Sequence, residues 1–152
     1  MGLFPPKSLL VATDFSAASR AALEAARFFG VQHQAHITLV HVFDPSPYKA
    51  PTLLPGPAKL LDEAANEVIQ QTETKLQELC SELLGECTAT PVVLRHASPG
   101  EAIAEHAESA SSDLIIVGSH GRTGLRRILL GSVAERVVRM STCPVMVIPP
   151  AE

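Results

Sequence analysis

A chain of 152 residues has room for one domain, and with hydrophobic residues at 46% and charged ones at 18% it can bury about two-thirds of the surface its unfolded form exposes. A formal net charge of -4 gives no global attraction for nucleic acid or for an anionic membrane, so any anion site has to be local. The opening Met1-Gly2-Leu3-Phe4-Pro5-Pro6-Lys7 lacks the features of a secretory signal, no segment approaches the ~20 apolar residues that span a bilayer, and Cys80, Cys87 and Cys143 lack metal-like C-x2-C spacing; the expectation is a cytoplasmic protein with reduced, structural thiols and no metal site.

In chain order, short aliphatic runs alternate with helical patterns. The run Ser8 to Ala12 is followed by a helical pattern from about Ser16 to Phe29, for which Gly30 is the expected stop. After the run Ile37 to Phe43 comes Asp44 to Pro57, where Pro45, Pro47, Pro51, Pro55 and Pro57 exclude helix and central strand and predict a surface loop, either a lid or a passive excursion. A long helical pattern from about Lys59 to Leu84 carries Leu60, Leu61, Ala64, Val68, Ile69, Leu76, Leu79 and Leu83 at helical spacing, and Gly85 ends it. The short run Pro91 to Leu94 precedes Ser98-Pro99-Gly100-Glu101, which reads as a capping box opening a helix to about Ala110. Leu114 to Val117 is apolar throughout, as a strand covered on both faces should be. Ser132-Val133-Ala134-Glu135 is a second capping box, opening a helix that ends near Met140, and Val145 to Ile148 is the last strand. This alternation predicts α/β architecture: an open five-stranded parallel sheet with helices on both faces, one domain over residues 1–152.

In such sheets ligands bind beyond the carboxyl ends of the strands, which directs attention to Asp14, to the Val42 region and to Gly118 through Ser132. The last is a strand end, a glycine-rich loop and a helix start. Glycines let backbone amides approach phosphate oxygens, and the helix that follows offers unpaired N–H groups and a positive dipole end. Arg122, Arg126, Arg127, Arg136 and Arg139, against Glu135 alone, make this stretch basic within an acidic chain.

Gly118-x2-Gly121-x9-Gly131-Ser132 reproduces the G-x2-G-x9-G-[S/T] pattern of the ATP-binding universal stress proteins. Leu9 to Ser16 resembles that family's first strand and its aspartate, Val40-His41-Val42 its second strand, and Cys143 to Ile148 its last, so the resemblance runs the length of the chain. It implies a Rossmann-like fold of the universal stress protein and adenine nucleotide alpha hydrolase-like type. It further implies that Asp14 meets ribose hydroxyls, that backbone near Val42 meets adenine, that Gly118 lies against the ribose, and that Gly121, Gly131 and Ser132 hold phosphates. The implied site also takes in Ala12, Thr13, Ser119, His120, Arg122 and Val133. Mg²⁺ is expected to arrive with the ATP, held by phosphates and water.

Simpler readings stand beside these. Asp14 has the chemistry of a helix cap, and Ser132 stands where a cap belongs. The arginines suit a solvated face as well as a phosphate clamp. His120 has no orienting neighbour evident in the sequence, which favours loop structure or a phosphate hydrogen bond over catalysis.

The function that follows is a regulatory ATP-binding protein of the stress response, with a slow ATPase or autophosphorylating enzyme as the alternative, because Ser119, Thr123 and Ser132 hydroxyls lie near the expected phosphates. No Walker G-x4-G-K-[ST] motif and no kinase signature is present, and Asp14-Phe15-Ser16 stands where a dinucleotide enzyme would carry G-x-G-x-x-G. The uncharged run Val145 to Ile148 predicts an unguarded edge strand and a homodimer in which it pairs with its own copy.

Overall fold

The protein was analysed as a computed structural model that describes residues 4–49, 57–120 and 130–150. The elements run β1 (Ser8–Ala12), α1 (Ala17–His33), β2 (His36–Phe43), a 3-10 turn (Ser46–Tyr48), α2 (Pro57–Leu84), β3 (Ala89–Arg95), α3 (Pro99–Ser109), β4 (Leu114–Gly118), α4 (Ser132–Met140) and β5 (Val145–Ile148). All five strands are parallel, in the order β3-β2-β1-β4-β5, with Leu9 of β1 in register with Ile37 of β2 and Leu114 of β4. The five aliphatic runs are therefore the five strands.

Successive side chains of a strand point to opposite faces, and this splits the core into two layers. Leu9, Val11, Ile37, Leu39, Leu114 and Ile116 pack with Leu23 of α1 and with Leu76 and Leu84 of α2. Leu10, Val40, Ile115 and Val117 pack on the other face with Ile103 of α3 and with Ala134 and Val137 of α4. Each fully buried aliphatic side chain contributes about 1.5–3 kcal/mol. Aliphatic residues do this work in a chain with only 4% aromatics.

Helix boundaries depart from expectation where tertiary contacts outrank local signals. Gly30 does not stop α1: it is buried inside the helix, where a Cβ would lie 2.8 Å from Ile37 Cδ1 and 2.9 Å from Cys87 Sγ, and Gln34 (φ 54°) takes the left-handed position. Neither capping box forms. The Ser98 amide donates to His96 Nδ1 at 2.9 Å, and Glu101 pairs with Arg136 of α4 at 3.1 Å. At α4 the cap residue is Gly131, so Ser132 is the first helical residue and makes no capping bond. The proline-rich stretch does hold a helical turn, Ser46–Tyr48, and Pro57 begins α2 because its missing N–H is one of the helix's unpaired donors anyway. Positions 50–56 of that stretch lie outside the described residues.

Candidate functional site

β1 sits mid-sheet, with β2 on one side and β4 on the other, so the chain's winding reverses between β1 and β4. A crevice must open where the connections diverge from such a reversal. It is occupied here by a cleft of about 320 Å³. Its walls include Ala12, Thr13 and Asp14 after β1, Val42 in β2, Gly118, Ser119 and His120 after β4, and Gly131, Ser132 and Val133 at the start of α4. Ten of the residues singled out from the sequence therefore meet around one cavity. Gly121 and Arg122, like Arg126 and Arg127, lie outside the described residues.

The β1 end is fixed first. The Thr13 amide donates to Val40 O at 2.9 Å, and the Thr13 carbonyl lies 2.8 Å from His41 Nδ1. Buried Thr13 Oγ1 is 3.0 Å from Ser19 Oγ and accepts from the Phe15 amide at 3.0 Å. Asp14 does not cap α1. Ser16 does so, accepting from the Ser19 amide, while Asp14 Oδ1 accepts from the Ser16 amide at 3.0 Å and from the Ser16 hydroxyl.

Strand β2 supplies a hydrogen-bonding edge. Val40 O bonds Thr13 and Phe43 O bonds the His96 amide of the opposite neighbour. Backbone groups alternate between neighbours along a strand, so the Val42 N–H and C=O face the β1 side, beyond the last residue of β1. A donor and an acceptor thus stand side by side at the cleft, flanked by apolar Val40, Pro99 and Ile103.

The third wall offers positive potential. Gly131 donates its amide to Ser119 O at 2.7 Å, and its own carbonyl accepts from the Glu135 amide at 2.9 Å. The first-turn amides of α4 have no carbonyl four residues before them in the helix, so they are anion donors at a positive dipole end. Gly118 allows close packing beneath: a Cβ there would be 3.2 Å from Ala18 O. The local arginine charge is reduced by pairing, since Arg136 meets Glu101 and Arg139 meets Glu135 at 3.5 Å.

Sequence reasoning missed two things here. His120 does have a neighbour, with its Nδ1 2.9 Å from buried Ser119 Oγ. Ser19, Pro99 and Ile103 also line the cleft, and only the sheet topology brings α3 across to β2. Among the described residues no group of three or more His, Cys, Asp or Glu side chains is gathered for a metal, and no helix is long and apolar enough to cross a membrane.

The model of the Universal stress protein family matches residues 6–149 of the chain. A universal stress protein of Methanocaldococcus jannaschii is 35% identical over 144 residues, which cover 93% of this chain and 81% of the relative. The solved structure of another protein of that organism superposes with a TM-score of 0.82 at 31% identity, covering 96% of this chain and 97% of that one. A structure of the universal stress protein from Archaeoglobus fulgidus in complex with dAMP shares the fold, with a TM-score of 0.60, 18% identity, and coverage of 93% and 96%.

Proposed function

The chain belongs to the universal stress protein family, and we propose that it is a cytoplasmic, dimeric regulator whose switch-point cleft binds ATP. The observation that carries the reading is that three chemically different walls converge on one cavity. The Val42 donor–acceptor pair complements the N1 and N6 edge of adenine, and half-buried Pro99 offers apolar surface to its ring, over buried Val40 and Ile103. Asp14 is an acceptor for ribose hydroxyls. Ser132 and Val133 present first-turn amides for phosphate, and Gly131, its own amide held by Ser119 O, leaves room beside them. Bound dAMP in the Archaeoglobus fulgidus protein supports adenine nucleotide as the ligand class. Mg²⁺ would be held by phosphates and water.

Mass spectrometry of small molecules released from the purified, denatured protein tests this directly. Adenosine triphosphate in near-stoichiometric amount is the expected result. Calorimetry should then give far tighter binding for ATP than for adenosine, and equal affinities would sink the phosphate role of α4.

A second reading, slow phosphoryl transfer, is favoured by the 2.9 Å contact between Ser119 Oγ and His120 Nδ1. The Ser119 oxygen would attack the terminal phosphorus as its proton passes to His120 Nδ1, and the diphosphate would leave with the bridging oxygen. Phosphopeptide mapping after incubation with ATP decides it: phosphate on Ser119, lost in His120→Ala, is required.

A further inference from the structure

Phe15 lies between Asp14 and the cap of α1, at the one point where the chain must reverse to pass from β1 into a helix. It does so at φ 64°, in the left-handed region where a bulky side chain is an outlier and glycine or asparagine is usual. The conformation is held from several directions. The Phe15 amide donates to Thr13 Oγ1, which is itself joined to Ser19. The ring packs against the His41 ring at a centroid distance of 4.7 Å and a tilt of 42°, and Lys75 of α2 sets its Nζ 4.4 Å from the ring centroid on a cation–π contact.

The reversal has a specific product. It turns the Ser16 amide and hydroxyl back onto Asp14 Oδ1, so two of the bonds that orient that carboxylate come from the residue that follows Phe15. We infer that Phe15 is a positioning residue: its ring, held between His41 and Lys75, maintains the left-handed backbone that aims Asp14 at the ribose of a bound nucleotide. The inference rests on the ATP reading above. It also makes α2, on the far face of the sheet, part of what shapes the cleft. A purely packing role is the competing account, since the ring also touches the first core layer.

Calorimetry on the whole chain with ATP and with 2′,3′-dideoxy-ATP separates the two accounts, with thermal unfolding of each variant as control. Wild type should prefer ATP. Phe15→Ala removes the ring but keeps the Cβ that disfavours φ 64°, so the preference should shrink by about tenfold, the worth of one hydrogen bond to a charged group. Phe15→Gly adopts the reversal without any ring and should restore the preference. Full discrimination in Phe15→Ala, or a loss in Phe15→Gly as large as in Phe15→Ala, overturns the proposal while leaving the ATP reading intact. If Phe15→Ala does not fold, exposed Lys75→Met replaces it: a reduced preference supports the proposal and an unchanged one overturns it. A wild-type chain that binds neither nucleotide overturns the ATP reading and this one with it.

Discussion

Gly131 and Ser119 are joined by a 2.7 Å hydrogen bond from the Gly131 amide to the Ser119 carbonyl, which ties the first turn of α4 to the end of β4. Gly131 has φ -59° and ψ 154°, a conformation open to any residue, so its value lies in the space left beside its backbone. Gly131→Val should therefore fold normally and bind ATP at least about tenfold more weakly, because the branched side chain blocks phosphate from the amides. Calorimetry beside a thermal melt checks this. Unchanged affinity in a folded variant would rule out this wall of the site.

Two helical glycines should respond differently to alanine. At Gly100 of α3 an added Cβ would lie 2.5 Å from Arg136 Cβ, 2.7 Å from Arg136 Cγ and 3.2 Å from Val133 O, so α3 and α4 would have to separate. Overpacking of this kind costs about 1–3 kcal/mol, more than the ~0.5–1 kcal/mol of helix propensity that alanine recovers. At Gly30 the obstacles are the tips of Ile37 and Cys87, which can shift. Gly100→Ala should lower the thermal midpoint by several degrees and Gly30→Ala by much less. Equal shifts would contradict the packing argument.

Ser112 Oγ is buried without a hydrogen-bond partner, although the Ser112 amide donates to Ala107 O at 2.8 Å. Removing the hydroxyl takes away a desolvated polar group and leaves the backbone bond in place. Ser112→Ala should stabilise the protein by about 1 kcal/mol in urea unfolding. A loss of stability would mean that the hydroxyl is satisfied in solution.

The strands were legible because each is a short aliphatic run closed by a turn or a helix signal, and the site was legible because the glycine spacing falls at the carboxyl end of such a run. What escaped was set by contacts between distant segments. Gly30 resembles a helix stop until Ile37 and Cys87 are seen to need its vacant side, and Glu101 resembles a capping partner until Arg136 is seen to claim it. Pairing of Ser119 with His120 depends on rotamers that adjacency alone does not fix. The resemblance points to Val42, and its role becomes physical only once β1 is known to end opposite Val40, two residues short of it.

The three thiols give a pH prediction with a definite sign. Burial pushes the Cys80 thiol up, with Cys87 nearby adding to the shift, and burial likewise raises Cys87 and Cys143. A folded value above the unfolded one means that the native state keeps its proton longer. The resulting stability is full below the unfolded thiol pKa of about 8.5 and is lost as pH rises through the folded values. The thermal midpoint should fall more steeply above about pH 8.5 in wild type than in Cys80→Ala. Parallel curves would show that this thiol does not titrate as burial requires.

The outer edge of β5 yields the last prediction. Ile115 N bonds Pro144 O and Ser119 N bonds Ile148 O, so Pro144, Met146 and Ile148 direct their backbone groups toward β4. By alternation the N–H and C=O of Val145 and Val147 point away from the sheet, along an edge that has no strand beyond it among the described residues. No charge stands in Val145 to Ile148 to guard that edge. Antiparallel pairing with a second copy about a twofold axis would satisfy these groups and close the assembly at a dimer. A lysine at Val145 or Val147 is an ambiguous probe, because both side chains pack against the second core layer. Proline at Val147 is the cleaner one: it deletes only the outward-facing donor, and edge strands tolerate proline where the N–H faces away from the ladder. Sedimentation should give a dimer for wild type at micromolar concentration and a shift toward monomer for Val147→Pro, with circular dichroism unchanged. A monomeric wild type, or a folded Val147→Pro that dimerises as strongly, would exclude pairing through this strand.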